Sequence, residues 1–221
     1  MSERKSKKVK GIPIAVIGRL PIYYQYLTQL CERNIERISS KELSNKLHFT
    51  DSQIRQDLNS FGSFGTRGFG YHVKDLKKTI EEILGINSKT SMVLVGAGNI
   101  GKAIAYYERY EKRGFYIKAI FDQKDELIHT TINGITVLDI ESLPYFLKEH
   151  KIDIGILAIP PEDAPKVAQI LSDGGVKGIW NFSLSHLYLE NETIVEHVNI
   201  TESLLALSYR IKEQSEKQNK E

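Results

Sequence analysis

The stretch that decides the fold is Met92-Val93-Leu94-Val95-Gly96-Ala97-Gly98-Asn99-Ile100-Gly101. Four apolar residues read as a short buried strand, and the G-x-G-x-x-G behind them opens a helix expected over Ile100–Tyr110. Backbone N–H groups and a helix N-terminus then converge on one point, which suits a pyrophosphate. In this reading Gly96 allows the tight turn, Gly98 lets phosphates approach the backbone, and Gly101 lets the helix close on the strand. Ala97, Asn99 and Ile100 complete the cradle. A bare glycine motif is weak evidence. Here a second apolar strand, Tyr116–Phe121, follows the helix and ends in Asp122. That acid lies about 20 residues beyond the last glycine, where a ribose-binding carboxylate is expected. The competing reading is a Gly-rich turn with a chance acid downstream. It leaves the order of strand, turn, helix, strand and acid unexplained.

The chain beyond Asp122 repeats the alternation. Ile135–Val137 reads as a strand and Asp139 starts a helix through Leu143, Phe146 and Leu147. Ile154–Ile159 is a buried strand ending at Pro160, Ala164–Leu171 a helix stopped by Gly174-Gly175, and Val176–Trp180 leads to Asn181-Phe182. Ile194–Ile200 is a last strand. This order predicts an α/β fold, a Rossmann-type doubly wound parallel sheet with helices on both faces. Ligands of such sheets bind outside the carboxyl ends of the strands. Gly96–Gly101, Asp122, Ala158, Ile159, Pro160, Asn181 and Phe182 all fall there, and one dinucleotide could touch them all. Asp122 favours a free ribose 2′-OH, which points to NAD rather than NADP, although Lys124 close by weakens that inference.

Toward the N-terminus the character changes. Residues 1–74 carry a balance of +7 and residues 75–221 one of −5, so the basic part suits a polyanion. Arg4, Lys5, Lys7, Lys8 and Lys10 mark a basic tail. A helix starts near Arg19-Leu20-Pro21 and runs to Asn34, with Tyr23, Leu27, Leu30 and Cys31 on its core face. Ser39-Ser40-Lys41-Glu42 and Thr50-Asp51-Ser52-Gln53 both match the capping box. Two short capped helices across a tight turn outline a helix-turn-helix, whose second helix enters the major groove. Its outward residues are Ser52, Gln53, Arg55, Gln56, Asn59 and Ser60, types suited to base edges and phosphates. Phe61–Tyr71 alternates glycine with aromatics and reads as a β-hairpin wing. Arg67 stands at its tip, flanked by Thr66 and Gly68, able to reach a minor groove. A purely structural hairpin with one exposed arginine is the rival reading. Val73–Leu84 reads as a connecting helix closed by Gly85. The expected division is a winged-helix domain over 1–85, a dinucleotide domain over 86–200 and a C-terminal helix over 201–221. That last helix opens with Thr201 as N-cap and carries Leu204, Leu205, Leu207 and Ile211 as an apolar stripe. It can pack on its own domain or cross to a second subunit.

Composition closes off other classes. An apolar fraction of 41% suffices for a core, and no run is long enough to span a bilayer or to serve as a signal peptide. A soluble cytoplasmic protein is expected. The single Cys31 excludes an intrachain disulfide and a Cys-based metal site, and reads as a buried thiol. None of His48, His72, His129, His150, His186 and His197 stands beside a carboxylate in a recognisable catalytic pattern. Little chain remains for a substrate domain. A sensor fits better than an enzyme. A small NAD-dependent dehydrogenase with an accessory helix-turn-helix domain stays open, as does a DNA-binding module whose dinucleotide fold only dimerises.

The chain resembles the Rex family of redox-sensing transcriptional repressors from Arg19 to the terminal helix. The resemblance rests on Gln53-Ile54-Arg55-Gln56-Asp57-Leu58, Phe61-Gly62-Ser63-Phe64-Gly65-Thr66-Arg67-Gly68, Val95–Gly101 and Trp180-Asn181-Phe182. It implies a homodimer with exchanged, domain-swapped C-terminal helices, binding of NAD and NADH, and palindromic double-stranded operator DNA released by NADH. It places Arg55 and Gln56 on the reading helix, Arg67 on the wing and Tyr107 near the nicotinamide. The chain departs from relatives at Gln56, often lysine, at Ser60, tyrosine in some, and at Gln25 and Asn199, where some relatives pair arginine with aspartate.

Overall fold

The computed structural model describes residues 11–62, 65–66, 70–86 and 88–218, with Gly65 and Thr66 as backbone alone. The basic tail over residues 1–10, the Thr66 side chain, Arg67 and Gly68 lie outside the described residues. The chain divides into two compact units, one ending at Ser88 and the other beginning at Lys89.

The first unit opens with a short helix not anticipated from the sequence, α1 (Ile14–Ile17), then α2 (Leu20–Glu32) with Pro21 in its first turn. Leu20, Tyr23, Leu27 and Leu30 form its inner face, and Cys31, expected to be buried, is only partly so. Strand β1 (Arg37–Ile38) precedes α3 (Ser40–Leu47), which starts as the capping box predicts. The Glu42 N–H donates to Ser39 Oγ at 3.1 Å and the Ser39 N–H to Glu42 Oε2 at 2.8 Å. His48, at φ 58°, ends α3 in the left-handed region, and Thr50 accepts from the Gln53 N–H to start α4 (Asp51–Phe61). Strands β2 (Gly65–Thr66) and β3 (Gly70–His72) form the expected hairpin, and β1 adds to its far side in the order β1-β3-β2. The polypeptide then enters α5 (Val73–Leu84) with Leu76 and Ile80 inward.

One polar cluster sits inside this apolar unit. Asp57, on the inner face of α4 and 2% exposed, accepts two 2.7 Å hydrogen bonds from Arg19 and one of 2.8 Å from Tyr23 Oη. Burial, and then the Asp57 carboxylate, push the Tyr23 phenol well above its usual range. The cluster fixes α4 against α2.

The second unit is a seven-stranded sheet in the order β10-β9-β8-β4-β5-β7-β6. Its strands are β4 (Thr90–Val95), β5 (Phe115–Asp122), β6 (Thr131–Ile132), β7 (Ile135–Asp139), β8 (Ile154–Leu157), β9 (Gly178–Asn181) and β10 (Ile194–His197). All pairings are parallel except β6 with β7, an edge hairpin not anticipated above although Asn133-Gly134, both at positive φ, is its turn signal. The parallel part is the 3-2-1-4-5-6 order of a Rossmann fold. Alternation along the strands divides the core in two. Val93, Val95, Ala119 and Phe121 pack with Leu147, Val167 and Leu171. Met92, Leu94 and Ile120 pack with Ile104 and Ala105. Helices α7 (Leu143–Glu149) and α8 (Ala164–Asp173) therefore cover one face and α6 (Asn99–Ala105) the other. A 3₁₀ turn over Ile140–Ser142 leads into α7.

Three expectations need correction. The helix predicted to reach Tyr110 ends at Ala105, whose carbonyl accepts from Asn133 Nδ2 at 2.8 Å, a side chain in the β6–β7 turn. The strand drawn to Ile200 stops at His197, because α9 (Ile200–Gln218) begins there. Thr201 is inside that helix, and Asn199 caps it instead, its Oδ1 accepting the Thr201 N–H at 3.0 Å.

At the opposite end from the glycine turn, Asp153 joins three strands. Its carboxylate accepts from the Ser91 N–H at 3.0 Å, from Ser91 Oγ at 2.9 Å and from Lys177 Nζ at 2.8 Å. The Lys177 hydrogen bond, then the Ser91 N–H, lower its pKa to about 2 from 3.8. The stabilisation is complete above pH 3.8 and is lost as pH falls through about 2. With partial exposure it amounts to on the order of 1–2 kcal/mol. Trp180 fluorescence during acid titration should show this loss, and Asp153→Asn should flatten it. In the first unit, Asp57→Ala strands Arg19 and Tyr23 and should cost about 3 kcal/mol in urea unfolding followed by circular dichroism.

Candidate functional site

The carboxyl ends of β4 and β8 lie side by side where the sheet order reverses, the position at which doubly wound sheets bind ligands. Gly96 sits there at φ 102°, and a Cβ on it would lie 2.3 Å from the Ala158 carbonyl oxygen. A Cβ on Gly101 would lie 1.9 Å from the Gly96 carbonyl oxygen. Both glycines are there to let backbone meet backbone. Gly98 differs: a Cβ on it would meet nothing within 4 Å. Its bare backbone faces open space, as the approach of a bulky anion requires. On this geometry the turn fits a pyrophosphate.

Asp122 is 8% exposed, and its two oxygens are engaged by backbone. Oδ2 accepts the Ala97 N–H at 2.6 Å and Oδ1 the Lys124 N–H at 2.9 Å. The acid ties the glycine turn to the end of β5. Beside it opens a cavity of about 390 Å³, within the range of small-molecule pockets. Gly96, Gly98, Asp122, Gln123 and Lys124 line it from the β4 and β5 ends, Ala158, Ile159 and Pro160 from the β8 end. Leu127, Ile140, Val167 and Ile170 give it apolar walls. Of the other residues expected at the coenzyme, Asn99 and Ile100 are exposed at the start of α6, and Ala97 is buried.

Tyr107, Asn181 and Phe182 lie outside that cavity's lining. Phe182 packs edge-on to Trp180 at 4.7 Å between centroids, Trp180 on Tyr110 at 6.0 Å, and Tyr110 on Tyr107 at 4.8 Å. Asn181 is 1% exposed, and its hydrogen bonds are internal. Its Oδ1 accepts from the Ser183 N–H and Oγ, and its Nδ2 donates to the Ser185 carbonyl and lies 3.1 Å from His197 Nδ1. The residue shapes the loop after β9. Among the histidines, His72 stands 3.3 Å from Asp75 at the start of α5, in the other unit. Among the described residues no cluster of His, Cys, Asp and Glu could hold a metal.

In the first unit, α4 turns Ser52, Arg55, Gln56 and Asn59 outward, with Gln53 and Ser60 half-buried. Arg55 is paired to Asp51 at 2.7 Å one turn earlier, with more than half of its side chain exposed. Ser60 Oγ donates to the Asp57 carbonyl at 2.6 Å, so its hydroxyl is already used within the helix. In the second unit α9 is exposed along its whole described length, Leu204 and Leu205 by more than 60%. Among the described residues no helix is long and apolar enough to cross a membrane.

A capped helix-turn-helix with a strand wing, followed by a Rossmann-type sheet with an open glycine turn, defines a DNA-binding regulator fused to a nucleotide-binding domain. Residues 11–59 match the family described as "Putative DNA-binding protein N-terminus" and residues 87–185 that described as "CoA binding domain". The redox-sensing transcriptional repressor Rex of Clostridium acetobutylicum is 48% identical over 93% of this chain and 96% of its own. The crystal structure of RSP with β-NAD+ and operator DNA aligns at TM-score 0.87 and 43% identity, over 95% of this chain and 97% of that one. That of RSP with β-NADH aligns at TM-score 0.87 and 41% identity, over 97% and 100%. The chain belongs to the Rex family of redox-sensing transcriptional repressors. It is a regulator rather than an enzyme.

The glycine geometry separates packing from ligand approach. Gly101→Ala should lower stability by more than about 2 kcal/mol, since backbone must shift to admit the methyl group. Gly98→Ala should stay within about 0.5 kcal/mol of the parent, its methyl group projecting into the space a ligand needs. Thermal unfolding of the two variants checks both.

Proposed function

We propose that the chain represses transcription in the cytoplasm by binding palindromic operator DNA as a homodimer and releases it when NADH binds. The observation that carries this is the pairing, in one chain, of an outward polar face on α4 with an open glycine turn at a sheet switch point. The likeness to a repressor solved with NAD+ and operator DNA, and with NADH, supports it. Arg55, Gln56, Ser52 and Asn59 would meet base edges and phosphates, with Gln53, Ser60 and the wing residues Thr66, Arg67 and Gly68 beside them.

Gly98 would admit the pyrophosphate, and Ile159 and Pro160 would hold the dinucleotide at the β8 end. The coenzyme supplies only a difference of charge, a cationic ring when oxidised and a neutral one when reduced. Tyr107 and Phe182 offer apolar wall, and burying an unpaired charge is costly, so these residues favour the neutral ring. Helix α9 leaves Leu204, Leu205 and Ile211 uncovered, the kind of face a second subunit buries. A dimer must hold its reading helices about 34–36 Å apart to match successive major grooves. Reduced coenzyme that stabilises another arrangement of the subunits breaks this match. Linkage makes the effect reciprocal, so operator DNA lowers NADH affinity by the same factor.

A gel shift with a palindromic A·T-rich duplex tests the reading. Retardation should persist with NAD+ and disappear with NADH at fixed salt; unchanged affinity under NADH sinks it. Arg55→Ala should weaken operator binding by about 1–3 kcal/mol while NADH still binds.

A further inference from the structure

A guanidinium beside DNA is drawn to any phosphate, an attraction that carries no sequence information. A reading helix gains discrimination when its cation can reach base edges while its charge is masked from phosphates. Helix α4 has this arrangement. Its one basic residue, Arg55, donates from Nη2 to Asp51 Oδ2 at 2.7 Å, one turn nearer the helix start. The pair is open to a partner, with 57% of the Arg55 side chain and 34% of the Asp51 side chain exposed. The other acid of α4, Asp57, is turned inward to Arg19 and Tyr23. Ser52, Gln56 and Asn59 are neutral, so the outward face of α4 carries only this pair, whose charges cancel.

An acid and an arginine four residues apart stabilise a helix slightly, but Asp51 is not needed to start α4. Thr50 does that by accepting the Gln53 N–H at 3.2 Å. The second carboxylate oxygen of Asp51, Oδ1, is closed to solvent and has no hydrogen-bond partner among the described residues, a cost that a merely stabilising side chain does not carry. Tyr71 of β3, 8% exposed, feels both charges: burial pushes its phenol up, Arg55 draws it down and Asp51 pushes it up again. Asp51 also stands at the positive end of α4, where it offsets the pull that a helix N-terminus exerts on phosphate.

We propose that Asp51 is a specificity-determining residue of the DNA interface: it cancels the Arg55 charge toward lone phosphates and leaves the remaining guanidinium donors for a base edge with two acceptors, such as guanine O6 and N7. The proposal rests on the reading of α4 as the recognition helix. Asp51 lowers affinity for DNA in general and raises the ratio of operator to other sequences, which is the quantity that matters among many competing sites.

The test titrates the full-length protein with NAD+ against two duplexes at several salt concentrations. One is a palindrome selected by the parent chain from a random-sequence pool, the other a scramble of the same length and base composition. In Asp51→Ala the scrambled duplex should bind about fivefold more tightly, and the operator-to-scramble ratio should fall by a similar factor. On the scramble, the slope of log affinity against log salt should steepen by about 0.9, one added phosphate contact. In an Arg55→Ala background the same change should leave the ratio in place, because a bare carboxylate repels both duplexes alike. Circular dichroism reports folding; should Asp51→Ala not fold, Asp51→Asn removes the charge at constant size and must give the same shifts. A ratio and slope that the change leaves in place overturn the proposal, as does an equal fall of the ratio in the Arg55→Ala background. If selection returns no preferred palindrome, or Arg55→Ala binds it as the parent does, the reading of α4 falls, and this one with it.

Discussion

Backbone meets backbone at the carboxyl end of β4 with no room for a side chain. The Gly96 carbonyl lies where a Cβ on Gly101 would go, and the Ala158 carbonyl lies where one on Gly96 would go. That double contact sets α6 against β4 and β4 against β8, and so creates the crevice at the sheet's switch point. The left-handed φ at Gly96 turns the chain sharply enough for Gly98 to emerge at the surface. Asp122 locks the result from the third strand by taking the Ala97 N–H. Of the N–H groups the glycine turn supplies, one is therefore consumed in holding the turn's own shape. Pre-organisation of this kind lowers the ordering cost of whatever binds.

The first unit uses a similar economy with different chemistry. A carboxylate buried under α4 would be prohibitive alone, but Arg19 meets it with two hydrogen bonds and Tyr23 with a third. Geometry is the return: the rotation of α4 about its axis is set by a directional contact as well as by the apolar Ile54 and Leu58. The opposite face can then be polar throughout without loosening the helix. Arg55 is parked against Asp51 rather than left free, which pre-orients its guanidinium in the absence of a partner.

Much of this was legible in the sequence because local rules act at short range. Ser39–Glu42 and Thr50–Gln53 announce helix starts through bonds spanning three residues. The fingerprint, its strands and its acid follow one another in order. What stayed hidden depends on residues far apart in the chain. The Arg19–Asp57 pair joins positions 38 apart, and the Asn133 side chain ends α6 from 28 residues away. Strand β1 is two residues long, too short for any periodicity, and exists because the edge of the β2–β3 hairpin receives it; β6 is as short, but the Asn133-Gly134 turn that folds it onto β7 is a local signal. The role of Asp122 illustrates the same limit. Spacing marks it as the acid of the motif, but only the fold shows that its oxygens are turned to Ala97 and Lys124.

Asn199 is a further case of such a local rule. The resemblance to Rex implies an aspartate at position 199 and its arginine at position 25 in some relatives; here the Asn199 amide caps α9 through the Thr201 N–H. An asparagine performs that task as well as an aspartate does. Cap strength therefore survives the substitution, while a charged pair between positions 25 and 199 does not exist in this chain. Coupling between coenzyme and DNA in the proposed dimer is therefore not carried by an ion pair between these two positions.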